Sequence, residues 1–128
     1  MDVRMAAVEV EAGSVLRFRP DAVLSVREGG AFRALGTAAS PITFESAKPA
    51  PAAGDWRRID FYGTSGATNL LRNVTIRHAG DSMFGVLWVE MGATLSVESV
   101  SMSMNSSCEA RVDGTLNEMG GTLMRCAM

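Results

Sequence analysis

The chain has 128 residues, enough for one domain with its own core. Hydrophobic residues make up 47% and charged residues 20%, with a formal net charge of −2, so composition offers no electrostatic case for nucleic acid or an anionic membrane as partner. A bilayer-spanning helix needs about 20 apolar residues in a row, and no such run occurs.

The N-terminus lacks the charged region and apolar stretch of a signal peptide. The first predicted strand, Val8-Glu9-Val10, follows almost at once. Residues 1–128 therefore read as a single domain that belongs to, or derives from, something longer. Apolar residues then alternate in short bursts: Val8 and Val10, Leu16 and Phe18, Leu24 and Val26, Phe32 and Ala34, Ile42 and Phe44. A period of two marks half-buried strands, and no window keeps a helical stripe. Between the bursts lie turn sequences such as Glu11-Ala12-Gly13-Ser14 and Arg27-Glu28-Gly29-Gly30. The stretch from Ala47 to Asp55, with two prolines and no apolar period, is a loop.

Two stretches repeat each other. Val15 to Val26 and Val86 to Val97 agree without gaps at Val15/Val86, Leu16/Leu87, Ala22/Ala93, Leu24/Leu95, Ser25/Ser96 and Val26/Val97. A weaker third copy puts Cys108, Ala110, Gly114, Thr115 and Leu116 where Leu87, Val89, Ala93, Thr94 and Leu95 stand. Short strands and small-residue turns recurring in this way predict a solenoid. A second column, Ile42-Thr43-Phe44, Ile59-Asp60-Phe61, Val74-Thr75-Ile76 and Val100-Ser101-Met102, predicts one strand of each successive coil. About five or six coils would stand roughly 25–30 Å tall.

Several of these pieces resemble right-handed parallel β-helix proteins of bacterial secreted and surface type. They are Val10 to Phe18, Gly36 through Pro41-Ile42-Thr43-Phe44 to Ala47, Gly54-Asp55-Trp56 to Ile59, and Asn73-Val74-Thr75-Ile76-Arg77-His78-Ala79-Gly80. The resemblance implies an all-β, right-handed parallel β-helix of about five to six short coils. It leaves function open, since that family holds polysaccharide lyases and hydrolases beside adhesins and other modules without catalytic activity.

With the second column inward, Glu45, Asp60, Tyr62 and Arg77 point outward. Glu45, Tyr62 and Arg77 would stack as a row that can hold sugar hydroxyls or a uronate, because arginine offers a planar fork to carboxylate. Glu45 and Asp60 on adjacent coils would also stand about the 5–9 Å apart that glycoside hydrolysis asks of two carboxylates. Trp88 replaces the outward Arg17 of the repeat and is expected as an exposed ring for a sugar or partner. His78, the only histidine, reads as structural, at a strand end. Trp56 is expected to cover the loop before it. Cys108 and Cys126 are either one disulfide or two buried thiols, and Asn73 and Asn105 read as turn asparagines rather than glycosylation sites. Seven of the nine methionines lie beyond residue 80; Met102 and Met104 share the face of Val100 and read as core filler, with a partner-binding surface as the alternative.

Residues 1–7 are a weak cap and Met124 to Met128 scarcely one, so self-association through an end is expected. The sequence thus points to a scaffold without catalysis, secreted or on the cell surface, that binds a polysaccharide or itself. No cofactor or metal is called for. A carbohydrate-active enzyme fragment and a self-assembling intracellular scaffold are the alternatives.

Overall fold

The computed structural model describes residues 1–66 and 68–127; Met128, part of the expected C-terminal cap segment, lies outside the described residues. Fourteen short strands follow one another in tiers. The first tier is β1 (Asp2–Val3), β2 (Ala7–Glu11) and β3 (Val15–Phe18), and the second β4 (Val23–Val26), β5 (Ala31–Leu35) and β6 (Ile42–Ser46). The third is β7 (Arg58–Phe61), β8 (Asn69–Arg72) and β9 (Val74–Arg77). The fourth is β10 (Leu87–Val89), β11 (Thr94–Glu98) and β12 (Ser101–Ser103), and the last β13 (Ala110–Val112) and β14 (Thr115–Met119). Each strand pairs in parallel with the one three places on. The first sheet is therefore β1-β4-β7-β10-β13, the second β2-β5-β8-β11-β14 and the third β3-β6-β9-β12. Among the described residues there is no helix, and so none long and apolar enough to cross a membrane.

The expected right-handed parallel β-helix of five to six coils is corrected by this arrangement. The strands form three separate parallel sheets, each open at both edges, none closed on itself and none deeper than five strands. Four strand-to-strand steps give a depth of about 19 Å, less than expected. The single interior column also fails. Ile42 pairs with Val74 in the third sheet, but Ile59 lies in the first, between Leu24 and Leu87. The physical reason is that apolar-polar-apolar is the mark of any strand with one buried face, so the triplet reports a face and not a sheet.

The 71-residue repeat is corrected in the same way. Val15 to Val26 runs from the third sheet into the first, whereas Val86 to Val97 runs from the first into the second. It is a shared strand-corner-strand pattern and not a tier repeat.

One core lies between the sheets. Leu24, Ile59, Leu87 and Ala110 line up in the first sheet, Ala34, Leu71 and Val97 in the second, and Leu16, Phe44, Ile76 and Met102 in the third. A polar residue interrupts the second sheet's other row: Asn69 stands between Phe32 and Leu95 and is fully buried. Its Oδ1 accepts the Phe32 N–H at 3.0 Å, while its amide donates to the carbonyls of Gly66 and Thr94 at 3.0 and 3.2 Å. It is fully paired and ties three tiers together. Corners are equally tight: a Cβ on Gly30 would sit 2.3 Å from the Val3 carbonyl oxygen, so the tiers meet there only because glycine has none.

The two ends differ. At the last tier the chain turns back and residues 124–126 add an edge to the first sheet, with Arg125 opposite Ala110. Leu123 is buried against the core, Met124 donates its N–H to Glu109, and Cys126 is disulfide-bonded to Cys108. The expectation that this end is scarcely capped is thereby overturned. At the first tier Val8, Val10 and Leu16 are only half-buried, and Met5 and Val15 are exposed.

Candidate functional site

The strand pleat turns alternate residues of each sheet outward, and two outer faces gather charge. On the third sheet, Arg17, Glu45 and Arg77 come from β3, β6 and β9. Register sets Arg17 beside Glu45, and Arg77 one step beyond the Phe44–Ile76 pair. Arg77 donates from Nε and Nη2 to Glu45 Oε1 at 3.1 and 2.6 Å, and Arg17 donates from Nε to Oε2 at 3.0 Å. The hydrogen bonds from Arg77, then those from Arg17, hold the Glu45 carboxyl below its usual range despite some burial.

Beside this triad opens a groove of about 510 Å³, lined also by Ser46, Lys48, Pro49, Pro51 and His78. The loop is folded on itself. Asp55 Oδ2 accepts the Ala52 N–H at 2.9 Å and Oδ1 lies 3.5 Å from Lys48 Nζ. His78 is 4% exposed and sits at φ +67°, a left-handed position that turns its ring back over the third sheet. Its Nδ1 accepts the Ser46 N–H at 3.2 Å.

The first sheet carries the other face. Asp60 is 1% exposed and opposes Ser25 and Trp88. Arg58 donates to Asp60 Oδ1 and to Asp81 Oδ2, both at 2.7 Å. Burial pushes the Asp60 carboxyl above its usual value, against the pull of Arg58, and burial together with Asp60 does the same to Glu90. Phe84 stacks on Trp88 with ring centres 4.2 Å apart, and the Trp88 indole N–H donates to Asp113 at 2.9 Å. The Arg58 and Arg111 guanidinia cover Phe84, and Arg27 lies 4.4 Å above the Tyr62 ring.

Of the residues singled out from sequence, Glu45 and Arg77 come together, and so do Asp60 and Trp88, on a different sheet. The expected Glu45–Tyr62–Arg77 row does not form, because Tyr62 follows β7 in the first sheet. The expected Glu45–Asp60 carboxylate pair does not form for the same reason. Trp88 is not an open ring but half-buried under Phe84. Trp56 does not cover the loop. It is fully buried, stacked on Phe18 at 4.1 Å, with its indole N–H donated to the Arg77 carbonyl. Asn105 accepts the Ala79 N–H and Asn73 donates to the Gly36 carbonyl.

Sequence reasoning missed Arg17, Lys48 and His78 in the groove, and Arg58, Phe84 and Arg111 on the first sheet. Strand alternation marks Arg17 as outward, but the 28 and 32 residues that separate it from Glu45 and Glu45 from Arg77 have no counterpart in any repeat. Among the described residues no group of three or more His, Cys, Asp or Glu is placed to hold a metal ion. The chain matches no protein-family model, no curated protein and no solved structure.

Proposed function

We propose that this chain is a scaffold module without catalysis, belonging to a bacterial secreted or surface protein, that binds a carbohydrate in the groove between the third sheet and the 47–55 loop. The observation that carries the reading is the groove itself, where polar side chains from three tiers and a folded loop converge with hydrogen-bonding capacity to spare. Only one carboxylate, Glu45, lines it. Two arginines keep that group ionised, which removes it as a general acid and leaves no partner for a two-carboxylate mechanism. The Cys108–Cys126 bridge supports an oxidising compartment.

The test is a glycan array probed with the full chain. Glycans should be retained, Arg77→Ala should abolish retention, and Tyr62→Ala, on the other face, should leave it unchanged. Retention of no glycan, or loss through Tyr62→Ala, removes the reading. New reducing ends or unsaturated uronates after incubation would put the enzyme in its place.

A second reading, self-association, is favoured by the open first tier with its half-buried Val8, Val10 and Leu16. Unpaired edge strands invite pairing with a second copy. Light scattering should show a mass that doubles with concentration; a strictly monomeric mass sinks it.

A further inference from the structure

The side-chain groups left unspent in the groove are mostly donors. Glu45 has both oxygens engaged by arginine N–H groups. Ser46 Oγ accepts the Lys48 N–H. Arg17 has used only Nε, so both its Nη groups are free, and the side chain is 65% exposed. Arg77 keeps Nη1, and Lys48 has only the 3.5 Å contact to Asp55. The protein carries a net charge of −2, so three cations against the two acids Glu45 and Asp55 are a local excess and not a reflection of the whole.

His78 supplies the second, independent observation. More than nine-tenths of it is buried, and its Nδ1 is taken by the Ser46 N–H. A neutral ring accepting at Nδ1 carries its proton on Nε2. That N–H has no protein partner, yet it is not sealed off, because the ring forms part of the groove wall. That donor is therefore free to meet an acceptor that enters the groove.

We infer that the groove selects sugars bearing an oxyanion, a carboxylate or a sulfate ester, seated between the free guanidinium edges of Arg17 and Arg77 and the Nε2–H of His78. This rests on the carbohydrate reading above and narrows it. A sugar hydroxyl is served best by an acceptor as well as a donor, and the groove's free side-chain groups are mostly donors. An oxyanion only accepts. Pro49 and Pro51, which have no N–H to solvate, present an apolar wall for the ring that carries the anion.

The experiment titrates the full chain with an oligogalacturonate, a sulfated oligosaccharide and a neutral oligosaccharide of equal length, and with inorganic sulfate. The nitrogens of the single imidazole are followed by NMR. One or both acidic sugars should bind at least about ten-fold more tightly than the neutral one, which of the two identifying the oxyanion, and about 1 M salt should weaken them. The Nε2 signal should move with them and stay still with the neutral sugar. Arg17→Gln, at an exposed position that folding does not need, should cost about ten-fold in affinity. Equal binding of the neutral sugar overturns the inference and leaves the carbohydrate reading standing, as does an unmoved Nε2 at saturation. Inorganic sulfate binding as tightly as the sugars removes the carbohydrate reading and keeps the oxyanion seat. Binding of none removes both.

Discussion

The outer faces of the first and third sheets are built from the same materials, arginines over acids, and do opposite things with them. On the first sheet most strong groups are spent, the buried Arg27 Nε excepted. Arg58 is shared between Asp60 and Asp81, Arg111 bonds Asp113, and each aromatic ring lies beneath a guanidinium. On the third sheet two arginines converge on one carboxylate, which cannot use all their N–H groups. Charge density alone therefore says little about where a ligand sits. What distinguishes a binding face from a structural one is the surplus of donors over acceptors after internal pairing.

The sharpest way to break this contrast is Asp60→Ala. It strips the nearest acid from Arg58, whose side chain is only 14% exposed, and half-opens a buried ion pair. Urea unfolding should show a loss of about 3 kcal/mol, with Asp81 limiting the damage, and affinity for acidic sugars should not change. A smaller effect appears in pH dependence, with opposite signs on the two faces. The Glu45 pKa is lowered in the folded chain, so its contribution is present above the ordinary value of 4.5 and is lost as pH falls through the folded pKa. The Asp60 pKa is raised, so its contribution is full below 3.8 and is lost as pH rises through the folded pKa. Acid unfolding should therefore cost Glu45→Gln less stability than the parent and Asp60→Asn more. Smallest of all, the Arg17→Gln variant used to test binding should unfold within about 0.5 kcal/mol of the parent. A larger loss would mean that the third-sheet face is structural after all.

Strands were the most legible part of the sequence. β2 to β6 fall where the alternation of Val8, Leu16, Leu24, Phe32 and Ile42 with their partners predicts them, because a half-buried strand must alternate. The assignment of strands to sheets was not legible. Placing Ile59 beside Ile42 and Val74 carried Asp60 and Tyr62 onto the wrong face in one step, whereas Glu45 and Arg77, whose strands do pair, were placed together correctly. Corner lengths decide which sheet a strand joins, and corners of 1 to 11 residues leave no periodic mark. His78 reads from sequence as a structural residue at a strand end, and the left-handed backbone position it occupies there is not encoded in side-chain pattern.

The tail that folds back over the last tier gives unfolding a direction. In a stack whose tiers touch only their neighbours, opening free energies add along one dimension, and fraying begins where a tier has a neighbour on one side only. At the last tier Leu123 and the Cys108–Cys126 bridge close that door. Among the described residues no strand pairs beyond β2 and β3, nor beyond β14 and β12, so the tail's closure is of the first sheet. The groove draws Arg17 from that first tier and Arg77 from the middle of the stack, so a ligand bridging the two, as proposed, would clamp the loose end shut, and binding would be read out as slower opening of a strand that the ligand barely touches.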